Sequence, residues 1–152
     1  MPESKRFGLD IDPKINGIIK ADFLKYDFNK TINKKFVITI GNPPFGKNSS
    51  LALKFLNKSA IFSNYIAFIL PKTFKKNSSI KKINKNIHLI AELNLDKNSF
   101  IFDNNDYSVP CIFQIWEKKP YQRKDITESL THPDFIFSTK NNADFAIRRV
   151  GG

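Results

Sequence analysis

The densest chemistry in the chain is Asn42-Pro43-Pro44-Phe45, set between Gly41 and Gly46 directly after the apolar run Phe36-Val37-Ile38-Thr39-Ile40. Two consecutive prolines fix φ twice and remove two backbone donors, so the loop is stiff and its carbonyls need partners outside a sheet ladder. With an amide before the prolines and an aromatic ring after, it offers fixed hydrogen-bond acceptors and a flat face. The β-branched residues ahead of it favour a buried strand, which Gly and Pro then end. A stiff polar loop at the carboxyl end of a strand is where open α/β sheets bind ligands. A bare Pro-Pro pair would be an ordinary turn; the full string is much rarer by chance.

Two strings precede it. Phe7-Gly8-Leu9-Asp10-Ile11 predicts a short strand, followed by Asp12 as a cap and Pro13 where a helix would begin. An acid at the end of such a strand is placed to accept from both hydroxyls of a ribose, although Asp10 alone would equally suit a solvent-facing turn. Ile18-Ile19-Lys20-Ala21-Asp22-Phe23-Leu24 predicts the next strand and the loop that leaves it. Asn42-Pro43-Pro44-Phe45 is similar to the (Asp/Asn)-Pro-Pro-(Tyr/Phe/Trp) motif of S-adenosylmethionine-dependent amino methyltransferases. With the two earlier strings, in that order, the chain resembles the gamma class of N6-adenine DNA methyltransferases.

The resemblance implies a Rossmann-like α/β sheet with helices on both faces and a late antiparallel strand. It implies S-adenosyl-L-methionine as cofactor, with Asp10 and Ile11 at its ribose, and Asp22 and Phe23 at its adenine. Phe23 also suits plain core packing. Asn42, Pro43, Pro44 and Phe45 take the catalytic roles, with Asn42 also next to the cofactor. The Asn42 side-chain oxygen and the Pro43 carbonyl would accept hydrogens from an exocyclic amine, and Phe45 would stack on a base flipped out of its duplex. DNA is the implied partner, and RNA bases or a protein glutamine are alternative substrates that share the motif.

The scaffold around these residues is also patterned. Ser49 to Phe62 has helical apolar spacing with Ser49 or Ser50 as N-cap. Tyr65 to Pro71 predicts a buried central strand, His88 to Leu93 another, and Val109 to Trp116 the last clear one. Tyr26 to Lys35 predicts a loop or ragged helix, and the segment from Ser99 through Asp106 a loop. Between Lys72 and Lys85 stand six lysines and no acid. That run is either a solvated face or a phosphate-holding rim, and Lys47, Lys72, Lys75 and Lys76 are the candidate nucleic-acid contacts. Cys111 is expected as a small buried hydrophobe and Trp116 as packing. Phe135-Ile136-Phe137 and Asp144 to Val150 suggest two strands of an appendage, with Arg148 and Arg149 able to meet phosphate.

The 152 residues carry a net charge of +11 and are 41% hydrophobic, enough for one domain with a real core. The charge suits a polyanionic partner, although a bias toward Lys, Asn, Ile and Phe would raise it regardless of function. A single cysteine excludes an internal disulfide framework, and His88 and His132 are too far apart for a recognisable metal motif. The absence of an apolar leader or a bilayer-length run points to the cytoplasm. Residues 1–118 are expected to form a partial catalytic domain and 119–152 an extension. The family's first strand and its glycine-rich turn have no counterpart here, nor does its target-recognition domain. The resemblance therefore implies either a gap at the sheet centre or a forced pairing across it, and a chain that is a fragment, one half of a split enzyme whose second chain supplies the strand and glycine loop, or a decayed gene product. A non-catalytic nucleic-acid-binding subunit or remnant is the alternative from another class.

Overall fold

A computed structural model of the chain describes residues 6–32, 36–96, 99, 101–102, 105–106, 109–127 and 133–146. Within them, β1 (Gly8–Asp10) pairs in parallel with β2 (Ile18–Lys20), apart from a four-stranded sheet. That sheet contains β3 (Ile38–Gly41), β4 (Tyr65–Pro71), β5 (Ile87–Asn94) and, after the short antiparallel pair β6 (Ile101–Phe102) and β7 (Asn105–Asp106), β8 (Cys111–Lys118). Its order is β3-β4-β8-β5, with β3 and β4 parallel and β8 antiparallel to both neighbours. The protein is thus a mixed α/β structure with a mixed sheet. Among the described residues β1 and β3 each have one hydrogen-bonded neighbour and are not paired with each other.

Helix α1 (Ser50–Phe62) lies on one face of the larger sheet. Ala52, Leu56 and Ala60 recur at helical spacing, and all three join one buried cluster with the alternate β4 residues Ile66, Phe68 and Leu70. Ile112 and Trp116 of β8, opposite Leu70 and Ile66, extend that face. After β4 the chain forms a 3-10 turn, Lys72–Lys75, and the short helix α2 (Asn77–Ile80). Asn57 of α1 fastens the segment beyond α2, donating to the Lys82 carbonyl and accepting from the Asn84 amide. Phe74 and Ile83 then close the same core. Helix α1, with Phe74 and Ile83 on either side of α2, therefore covers one face, and the expected covering of both faces is not seen among the described residues.

Several expectations change for identifiable reasons. The run leading into the Asn42 loop is a strand but not a buried one: Ile38 is 49% and Ile40 77% exposed. Their side chains alternate with those of Thr39 and Gly41 and so lie on the face opposite α1, on a strand paired along one edge. No helix follows Pro13. Each strand of the β1–β2 pair is only three residues long, so residues 11–17 suffice to return the chain as a turn with Gly17 at φ +86°. Asp12 pairs with Lys14 instead of capping a helix. Ser49 occupies the N-cap position of α1 at a left-handed φ of 61°, and its hydroxyl meets that of Thr73 at 2.7 Å rather than a helix amide. Phe135 to Phe137 lie exposed with a single β-bridge at Phe135 in place of the expected strand, while Arg148, Arg149 and His132 lie outside the described residues. Cys111 and Trp116 are buried as expected.

Replacing Leu56, which is fully buried, by Ala should cost about 2–5 kcal/mol, measured by chemical denaturation. A second expectation concerns acid. The Lys75 ammonium, 2.7 Å from Glu92, holds that carboxyl below its ordinary value of 4.5, and the Gln114 amide adds to the effect. A depressed acid stabilises the fold above its unfolded value and loses that contribution as pH falls through its folded value. Thermal melts of Glu92→Gln should accordingly show a shallower loss of stability below about pH 4.5 than the parent.

Candidate active site

Parallel strands deliver their carboxyl ends to the same side, and the three sequence strings converge there. Leu9, Asp10 and Ile11 leave β1; Ala21, Asp22, Phe23 and Leu24 follow β2; Gly41, Asn42, Pro43 and Pro44 leave β3. All of them line one open cavity of about 490 Å³, together with Leu51, Phe55 and Phe68. The last three are contributions that the sequence strings do not mark. Their signal is the apolar spacing of α1 and β4, which also reads as core.

Each acid is oriented by its own turn. Asp10 Oδ1 accepts from the Asp12 amide at 2.8 Å, and the Asp10 carbonyl accepts from Ala21, locking the end of β1 to the end of β2. Asp22 Oδ1 accepts from the Leu24 amide at 2.8 Å while its carbonyl takes the Lys25 and Tyr26 amides, so one residue nucleates the loop that it also equips. The Lys25 ammonium stands 3.9 Å from Asp22 Oδ2. Phe23 stacks on Phe55 at 4.7 Å between centroids, with Phe28 and Phe62 continuing the aromatic bed. It is both core and cavity wall.

Helix α1 secures two of these loops. Its first-turn amides, Leu51 and Ala52, reach back to the Phe45 carbonyl at 3.1 and 3.3 Å. Further along, the Lys58 ammonium donates to the carbonyls of Leu24 and Tyr26 at 2.7 and 2.8 Å and stands 5.4 Å above the Phe28 ring. Lys58 is a positioning residue that a lysine-rich sequence hides. Asn42 is exposed at the cavity, Pro43 is buried and Pro44 exposed. Phe45 is half-buried against the core of α1 and lies outside the cavity wall.

The lysine candidates separate. Lys75 is engaged by Glu92, whereas Lys72 and Lys76 are exposed just past the carboxyl end of β4. Lys47 stands just beyond the proline loop and lines a smaller cleft of about 320 Å³ with Lys82, Ser49 and Ser79. Among the described residues no group of three metal-ligating side chains is assembled, and no helix is long and apolar enough to cross a membrane. No protein-family model, curated protein or solved structure matches the chain.

Gly46 sets the exit of the loop at φ +67°, ψ 177°, a conformation open essentially to glycine alone. A Cβ there would stand 2.7 Å from the Leu51 Cβ. Gly46→Ala should therefore cost about 1–3 kcal/mol and shift the Asn42 side-chain amide resonances. Gly17→Ala, also at positive φ but in open space, should move stability less and leave those resonances in place.

Proposed function

We propose that the chain is a partial S-adenosylmethionine-dependent methyltransferase domain, directed at the exocyclic N6 amine of adenine in DNA. The observation that carries this reading is the convergence of the three strings, separated along the chain, on one cavity. The strand order supports it as well: two parallel strands, a gap, then β3, β4 and β5 running the same way with β8 inserted antiparallel. That order is compatible with the resemblance, which would place a further strand between the two groups.

The residues present fit the cofactor. The cavity is of ligand size. It has carboxylate acceptors on Asp10 and Asp22 and apolar walls from Leu9, Phe23, Phe55 and Phe68. Asp10 would hold the ribose and Asp22 the amine of the cofactor's adenine, with Ile11 and Phe23 beside them. When bound, S-adenosylmethionine supplies a methyl group on a sulfonium, already a good electrophile. The protein's task is then the nucleophile. An aromatic amine is a poor one because its lone pair is delocalised into the ring. Acceptance of its two hydrogens by the Asn42 oxygen and the Pro43 carbonyl favours the pyramidal form, in which the lone pair points at the methyl carbon. The methyl would pass from the sulfonium, which would leave as a neutral thioether, to the amine nitrogen, which would give up one proton. Neither acceptor is basic, so the surplus proton leaves to water. Lys47, Lys72 and Lys76 would meet phosphates around the rim.

Asn42→Ala should abolish methylation of adenine-containing duplexes, at least about a hundredfold, while sparing cofactor affinity. Asp10→Ala should weaken that affinity instead. Transfer of radiolabelled methyl, with calorimetry of cofactor binding, separates the two. Activity on RNA or on a glutamine peptide in place of DNA would reassign the substrate. Nucleic-acid binding unaffected by Asn42→Ala or by cofactor, with no transfer to any substrate, would make the chain a non-catalytic binder.

A further inference from the structure

From Phe28 to Ala91 the sequence carries twelve lysines and no acid. Several of these lysines are engaged by the fold: Lys58 by two carbonyls, Lys30 by Asp27, Lys75 by Glu92 and Lys85 by Asp125. Lys47 and Lys82 are not. Neither has a partner among the described residues, yet both line the cleft of about 320 Å³ beside the first turn of α1. Two like charges at one cleft repel, and an anion between them removes the repulsion.

The rest of the lining suits such an anion. It contains no carboxylate, and Ser49 and Ser79 add hydroxyls above the buried ring of Phe74. The Ser49 and Thr73 hydroxyls meet at 2.7 Å. Thr73 can donate in that pair, which leaves the Ser49 proton free for an acceptor in the cleft. The first amides of α1 are taken by the Phe45 carbonyl, so the donors offered here are side chains. They come from two separate segments, around Lys47 and around Lys82. Donors so divided suit the tetrahedral oxygens of a phosphate better than the planar pair of a carboxylate.

What the cleft adjoins narrows the source of that phosphate. The segment that lines the larger cavity with Asn42, Pro43 and Pro44 continues through Gly46 into Lys47. One stiff stretch thus borders both, and a phosphate seated at Lys47 is held in register with the Asn42 acceptor. We propose that this cleft holds one backbone phosphate of a nucleic acid, beside the nucleotide whose base enters the cavity, with Lys47, Lys82, Ser49 and Ser79 as its donors. The proposal takes its polymer from the reading above and requires no methyl transfer.

The test uses the whole chain, labelled with nitrogen-15, and an adenine-containing DNA duplex, titrated without cofactor at several salt concentrations. Saturable shifts are expected at the amides of residues 47–50 and 79–82. Lys47→Gln and Lys82→Gln should each lower the slope of log Kd against log salt by about 1, alike for every duplex sequence. Ser79→Ala removes a neutral donor, so it should weaken binding about tenfold with the slope unchanged. Lys140→Gln, exposed and outside the cleft lining, should leave affinity and slope near those of the parent. A slope unchanged in both cleft variants, with the duplex still bound, overturns the site alone. An equal loss in Lys140→Gln also overturns it, because the charge then acts diffusely. Inorganic phosphate that saturates the same amides and resists displacement by duplex overturns the nucleic-acid source and makes a free phosphate the ligand. A duplex that moves none of the parent's amides overturns the nucleic-acid reading together with the site. Absence of methyl transfer with these shifts in place overturns the catalytic assignment and upholds the site.

Discussion

The site depends on the seating of one helix. Helix α1 packs Ala52, Leu56 and Ala60 onto β4, and that packing fixes where its two ends can reach. Its first amides hold the Phe45 carbonyl, and through it the stiff Pro43-Pro44 segment. Near its other end, Lys58 holds the loop that carries Asp22. A single apolar stripe thus positions an amide from one strand and a carboxylate from another. The prolines make this economical, because a loop with little internal freedom needs few external bonds to stay in place.

The same arrangement leaves the sheet one-sided. Ile66, Phe68, Leu70 and Trp116 are closed over by α1 and its neighbours, while Ile38 and Ile40, on the opposite face, remain in water. Burial decreases toward the β3 edge, where a neighbouring strand is also missing among the described residues. The exposed apolar surface and the unpaired edge therefore coincide among the described residues. Both lie beside the cavity.

Much of this is legible in the residues. Tyr65 to Pro71 matches its expected bounds, because a continuous apolar run with a terminal proline allows little else. The meeting of Asp10, Asp22 and Asn42 is also legible, since parallel strands leave their carboxyl ends together. The hidden part is mostly a matter of neighbours. The run before Asn42 carries every mark of burial, yet among the described residues its outer face is uncovered and one edge has no neighbouring strand. The helix expected after Pro13 fails because strands of three residues need no such return path. Lys58 and Lys75 look like any other surface lysines until the carbonyls and the carboxylate opposite them are known.

One contact alters where the folded body ends. Arg123, well past β8, donates to the carbonyls of Ile80, Ile83 and Asn84, and its guanidinium stands 5.5 Å above the Trp116 ring. Burial lowers its pKa by opposing its charge. Nearby, Asp125 pairs with Lys85. The chain after Lys118 thus acts as a clasp across the end of the sheet, where a boundary drawn from composition alone would have cut. A protease that clipped between Lys118 and Arg123 would release that clasp, uncover the indole and take a donor from three carbonyls, even though every strand and helix was left intact.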